Sequence, residues 1–251
     1  MKIFIVMIFL IASGISAKDI KPYKYIQASD AVSDFVKAGD TLVIGTGEGI
    51  VDIYDLKKDK PVDKITLKKQ KNILGDESGI LIISVDYMDG RVVFLTRELN
   101  TWGELYMYEN KKLTKLIKNS EHITLQKVRF VDKDRVIINT MGNELIFFDI
   151  KKAKFIYRKQ LGLGSFSDMA VSENKKYLYS ADETPIINKI EIESGKVLQS
   201  FEEANKRDIF SIDYKNRVLL SGGKDKRVIL YKTPKEYKIT KGDFFIQSVA
   251  L

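Results

Sequence analysis

Few side chains of this 251-residue chain are equipped for chemistry of their own. There is no cysteine, which excludes thiolate nucleophiles, thiolate metal sites and disulfide scaffolds together. His122 is the one histidine, so a His-rich metal site is excluded and a single imidazole is left for any triad. It lies in Asn119-Ser120-Glu121-His122-Ile123, and no Gly-x-Ser-x-Gly occurs anywhere, so it reads as a loop histidine. Gly45-Thr46-Gly47-Glu48-Gly49 and Gly162-Leu163-Gly164-Ser165 are glycine-rich, but neither runs into a helix whose N-terminus would bind phosphate. Both read as turns. Asp86, Asp168 and Asp213 recur along the chain, and converging carboxylates can hold Ca²⁺. Arg129 and Ala170 stand at corresponding places and interrupt such a ring. The expectation is therefore no catalytic residue, no metal and no cofactor.

Charge and termini narrow the partners. The net charge of +8 comes from 42 Lys plus Arg against 34 Asp plus Glu. The lysines are scattered, often as pairs such as Lys57-Lys58, Lys111-Lys112 and Lys175-Lys176, in gaps between apolar runs and with acids beside them. A nucleic-acid reader gathers its bases on one face among aromatics, so this is a solvated surface and no nucleic acid is expected. Met1-Lys2, the ten apolar residues Ile3 to Ala12 and the small residues ending at Ala17 form the three-part layout of a secretory signal. Ten residues are too few to cross a hydrocarbon core of about 30 Å, so membrane attachment would require that segment to stay uncleaved. Residues 1–17 are thus expected to direct a soluble chain, residues 18–251, to the periplasm.

The elements that must position any site come from an internal repeat. Apolar strands begin at Leu42, Val92, Val136, Tyr177 and Val218, which are 50, 44, 41 and 41 residues apart. A second series precedes them at Val85-Asp86-Tyr87, Val128-Arg129-Phe130, Met169-Ala170-Val171, Ile212-Asp213-Tyr214 and Val249-Ala250-Leu251. A third follows, as in Leu105-Tyr106-Met107-Tyr108 and Leu145-Ile146-Phe147-Phe148, and a weaker fourth closes each unit, as in Phe155-Ile156-Tyr157. Val, Ile, Tyr and Phe fill these runs, turn residues split them, and no long helical face appears. Four short strands per 40–45 residues is the pattern of a propeller blade. The chain is expected to be all-β, a propeller of four-stranded antiparallel blades with five complete blades and a partial sixth at Phe245–Leu251. Tyr23-Lys24-Tyr25-Ile26 is the candidate closing strand, but even with it the sixth blade would lack its middle strands, so the natural chain is expected to be longer. The alternative is that the last strand packs irregularly and leaves an open side.

Leu219-Leu220-Ser221-Gly222-Gly223-Lys224-Asp225-Lys226-Arg227-Val228-Ile229-Leu230-Tyr231 resembles the WD40 repeat. Tyr54-Asp55, Tyr108-Glu109 and Phe148-Asp149 are degenerate versions of its Trp-Asp ending, and the resemblance runs over about residues 31–251. It implies that Asp225 braces a turn. No unit carries the Gly-His dipeptide, so the internal polar network of well-formed WD40 blades is expected to be broken and blades to rely on apolar packing. The resemblance also implies that Ser84, Lys127, Asp168, Ser211 and Arg207 share one face with the loop residues Glu48, Trp102, Glu183 and Lys224. Of these, Trp102, Lys127, Asp168, Arg207, Glu183 and Lys224 are the expected partner-binding residues, Trp102 as a lone anchor or as a cap on a blade edge.

A signal segment, degenerate Lys-rich blades and absent Cys are also similar to the NapL-type accessory proteins of periplasmic nitrate reductase operons. That resemblance implies a non-catalytic periplasmic protein that binds nitrate reductase components and helps them assemble or receive electrons. Separately, the chain is expected to be a monomer. The alternatives are a metal-dependent propeller lactonase or hydrolase, and a scaffold of the cell envelope.

Overall fold

The computed structural model describes residues 24–71, 75–98 and 101–251, so the expected signal segment lies outside the described residues. Five four-stranded antiparallel meanders account for nearly all of it. Blade I comprises Val32–Ala38, Thr41–Thr46, Ile50–Asp55 and Lys60–Thr66. Blade II comprises Leu81–Met88, Arg91–Arg97, Gly103–Glu109 and Lys112–Ile117, and blade III Leu125–Asp132, Arg135–Thr140, Glu144–Asp149 and Lys154–Gln160. Blade IV has Phe166–Val171, Tyr177–Asp182, Ile187–Glu191 and Lys196–Phe201; blade V has Ile209–Lys215, Val218–Gly223, Arg227–Tyr231 and Tyr237–Lys241. The first strands of consecutive blades lie side by side, which makes the array radial. The single helical turn described is Asn119–Glu121.

Local chemistry explains the meander. Hairpins turn on residues that accept positive φ, such as Asp89-Gly90 (φ 49° and 83°) and Asn110-Lys111 (φ 50° and 63°), whose twist matches that of the flanking strands. A meander sends its first-to-second and third-to-fourth turns to one end of the blade. The second-to-third loop and the link to the next blade emerge at the other end, called here the upper face. The step of 50 residues between Leu42 and Val92 has a structural cause: the link after blade I spans 67–80 and carries a two-stranded ribbon, Gln70–Lys71 with Glu77–Ser78. Its counterparts span only 118–124, 161–165 and 202–208.

The core lies in the seams between blades. Val43, Val51 and Ile65 of blade I meet Ile82 and Val85 of blade II. Val93, Leu95 and Leu105 meet Leu125, Val128 and Phe130 in the next seam. Ile137, Leu145 and Phe147 meet Met169, and Ala181, Ile187 and Phe201 meet Ile209 and Ile212. No blade could bury its faces alone, so the array folds as one unit.

Two expectations about the ends are corrected. Phe245–Leu251 is not paired as a strand. It nevertheless occupies a first-strand position. A Cβ on Gly222 would meet Ile246 Cγ2 at 2.5 Å and Val249 Cγ1 at 2.8 Å, as one on Gly45 would meet Ile82 Cγ2 at 2.6 Å and Val85 Cγ1 at 3.0 Å. The candidate closing strand does not join the last blade. Tyr23 lies outside the described residues, and Lys24 instead pairs with Asp59 and lies 5.4 Å from the Tyr54 ring, both in blade I.

Candidate functional site

The channel side of the ring is a set of side-chain caps. Each first strand has one neighbour in its sheet, which leaves its other row of N–H groups facing the next first strand without a ladder. Side chains of the preceding blade take up these donors. Val85 N–H donates to Asp34 Oδ2 at 2.9 Å, Val128 to Ser84 Oγ at 3.2 Å, Ile212 to Asp168 Oδ2 at 2.9 Å and Val249 to Ser211 Oγ at 3.3 Å. Two residues further along, Phe130 N–H donates to Asp86 Oδ2 at 2.6 Å and Leu251 N–H to Asp213 Oδ2 at 2.7 Å. Blade III has Lys127 at the capping position, which cannot accept. Its ammonium instead reaches the Asp168 carboxylate of blade IV.

Burial pushes the Asp86 carboxyl up, against the pull of the Arg129 guanidinium and the Phe130 amide. Arg129 itself donates to Ser84 Oγ at 3.4 Å and to the Val85 and Val128 carbonyls at 3.1 and 2.8 Å. The recurring acids are thus engaged with backbone amides, and among the described residues no three of His, Asp and Glu come together as a metal site.

This sorts the residues singled out from sequence. Ser84, Lys127, Asp168 and Ser211 lie within the first strands rather than before them, and each contacts an adjacent blade. Lys127 and Asp168 are brought together. The upper face carries the rest. Glu183 and Arg207 are exposed, and Lys224 lies 3.1 Å from Asp208, next to Arg207. Trp102 is half-buried on blade II, its ring centroid 5.4 Å from that of His122. Asp225 braces its turn, accepting from Arg227 N–H at 3.1 Å and Lys206 N–H at 2.9 Å.

Apolar packing alone does not hold every blade, contrary to expectation. In blade V, buried Asn205 donates from Nδ2 to the Tyr231 hydroxyl at 2.8 Å and accepts from Ser221 Oγ at 3.0 Å. Asn205 lies in the link before the first strand, and no Gly-His dipeptide marks it; its signal was a lone Asn ahead of Ser221 and Tyr231. Blade II holds a second network. Glu104 accepts from the Tyr106 hydroxyl at 2.5 Å, from Lys115 Nζ at 2.7 Å and from Asn119 N–H at 3.2 Å. Burial pushes the Glu104 carboxyl up, but these donors outweigh it and hold the group below its ordinary range. Burial and Glu104 raise the Tyr106 phenol to about 12.

The lower face holds the feature that sequence reasoning missed, a row of clefts at the seams. The cleft between blades IV and V has a volume of about 480 Å³. Tyr177, Tyr179, Phe201 and Tyr214 wall it, with Lys189, Arg217 and Lys232 around them. Tyr179 and Tyr214 stack at 4.4 Å across the seam, and burial pushes the Tyr179 phenol up. A shallower, polar cleft between blades III and IV shares Asn174 and Tyr177 with it. Such a site offers aromatic surface and positive charge, with Glu173 as the one acid in its lining.

With the architecture established, likeness to known proteins can be judged. No protein-family model matches the chain, and no curated protein does. Its fold matches 1637 solved chains, so fold alone cannot single out a partner. The WD40 β-propeller domain of Doa1 superposes with a TM-score of 0.67 at 13% identity, over 86% of this chain and 71% of that one. The computationally designed Ika8 protein gives 0.65 at 13% identity, over 88% and 65%. The chain has a WD40-like β-propeller fold. The narrower likeness to nitrate reductase accessory proteins gains no support from these comparisons.

Proposed function

We propose that this chain is an exported, non-catalytic propeller that binds a protein partner. The aromatic, positively charged cleft between blades IV and V is the observation that carries this reading. Clefts of this kind bury apolar side chains of a partner and orient its charges, and Tyr and Arg are the side chains that anchor interfaces. The sequence pattern extends the reading: the partner is a respiratory enzyme of the periplasm, with the nitrate reductase system as the first to examine.

Photo-crosslinking tests the core of it. A crosslinking side chain at Gln199, in the cleft, is expected to give a discrete protein adduct when the full chain is expressed in its exporting host. The same group at Glu183, on the upper face, is expected to give much less. Absence of any protein adduct from both positions would remove the protein-binding reading. Deleting the gene and assaying periplasmic nitrate reductase tests the extension, which fails if activity is unchanged. Fractionation tests export, which fails if the chain stays in the cytoplasm at full length.

A further inference from the structure

Register fixes which third-strand residue faces the next seam. It pairs with the second-strand residue on that face: Ile53 with Val43, Met107 with Val93, Phe147 with Ile137 and Leu230 with Leu220. Blade IV alone among the five breaks the series, with Lys189 opposite Tyr179. An aliphatic or aromatic residue would fill the seam there, as it does elsewhere. Lys189 is half-buried instead, its ammonium 4.3 Å from the Tyr177 ring centroid, and among the described residues no carboxylate lies within ion-pair distance of it.

The molecule contains a completed version of the same arrangement. Lys115 lies 5.2 Å from the Tyr106 ring centroid beside the cleft between blades I and II, and its ammonium is satisfied by Glu104 at 2.7 Å. Lys189 has the aromatic platform and lacks the acid. A second cation is held close by. The turn Asn216-Arg217 has φ of 51° and 64°, a geometry that favours glycine at its second place. Glu173 of blade IV accepts from Asn216 N–H at 2.6 Å and secures that turn across the seam. Arg217 is thereby presented, exposed, at the cleft mouth.

We propose that the cleft between blades IV and V takes an acidic peptide segment of the partner protein, with a carboxylate on Lys189 and Arg217 and an adjacent apolar side chain on Tyr214. The charge-assisted contact supplies orientation and the ring face supplies buried area. The inference rests on the protein-binding reading and adds the chemistry of the bound segment.

Fluorescence anisotropy with two labelled peptides tests it, one of alternating Glu and Phe and one with every Glu replaced by Gln. The acidic peptide is expected to bind the full chain about tenfold more tightly or better, with the preference shrinking as salt rises. Lys189→Met is expected to abolish the preference while leaving the melting temperature unchanged, because Met107 fills the equivalent place in blade II. Lys112→Ala, exposed at the start of the outer strand of blade II, is expected to keep it. Equal binding of the two peptides, or a preference that survives Lys189→Met, overturns the inference. So does Lys189-dependent binding of polygalacturonate by a chain that ignores both peptides. If the acidic peptide fails while crosslinking at Gln199 still yields a protein adduct, the chemistry is wrong and the protein-binding reading stands; if both fail, both fall.

Discussion

The seam between blades II and III and the seam between blades IV and V have the same register and lower clefts of different size and lining. The first is filled by Val93, Leu95, Leu105, Leu125 and Phe130, all fully buried, and opens below them into a smaller cleft of about 330 Å³ beside Met107. The second keeps Ile187, Phe201 and Ile209 near the upper face and opens below them into tyrosine and lysine. One register position accounts for much of the contrast, Met107 in one seam and Lys189 in the other. A repeat fold supplies its own controls: each blade shows what a position holds when it serves only packing, so a departure stands out against four siblings. The seam between blades I and II falls between these extremes, because its lysine, Lys115, comes with an internal acid.

Mutations can test how far this contrast extends into energetics. Phe130→Ala in the apolar seam between blades II and III is expected to have the largest effect, a loss of about 3–5 kcal/mol measured by chemical denaturation, from lost burial plus the cavity left behind. A loss below about 1 kcal/mol would mean that this seam is not the mechanical core. Asp168→Ala removes the acceptor for Ile212 N–H and Met169 N–H and the partner of Lys127, and should cost about 2–3 kcal/mol. Asp168→Asn should recover part of this, since its amide oxygen still accepts.

Glu104→Gln probes the intermediate seam. The folded state holds the Glu104 carboxyl below its ordinary range, so its stabilisation is complete above the unfolded-state value of about 4.3 and is lost as pH falls through the folded one. The variant should be less stable by about 2 kcal/mol at neutral pH, and the gap should close on acidification. A gap that persists below pH 3 would show that charge is not the cause. Lys189→Met should have the smallest effect, within about 0.5 kcal/mol of the parent or slightly stabilising, because it restores the apolar residue found in the sibling seams. A large loss would make Lys189 a structural residue.

The repeat made the architecture readable because each strand had to keep an apolar face toward a neighbour, as in Val136-Ile137-Ile138. Strands at the ends of the array escaped notice. Val32–Ala38 meets another blade on one side only, at Leu81–Met88, and Tyr237–Lys241 is the outer strand of blade V; their residues are mostly exposed, and the alternation that marks burial is weak. Asp225 was readable through its turn. Lys189 was not, because Ile187-Asn188-Lys189-Ile190 reads as ordinary alternation until register shows which face each residue takes. The channel acids were noticed as potential ligands, but a sequence does not reveal that a backbone amide of the next unit, 44 residues further on for Asp86 and Asp168 and 38 for Asp213, is waiting for each.

That last arrangement has a consequence for what can dock where. An exposed row of amides invites a foreign strand to add itself by backbone pairing. Here many of the amides bordering the central hole are already spoken for by Asp34, Ser84, Asp86, Asp168, Ser211 and Asp213, so the hole is a poor template for strand invasion. A visiting polypeptide is steered away from the axis and toward the spaces where side chains, rather than main chain, do the recognising.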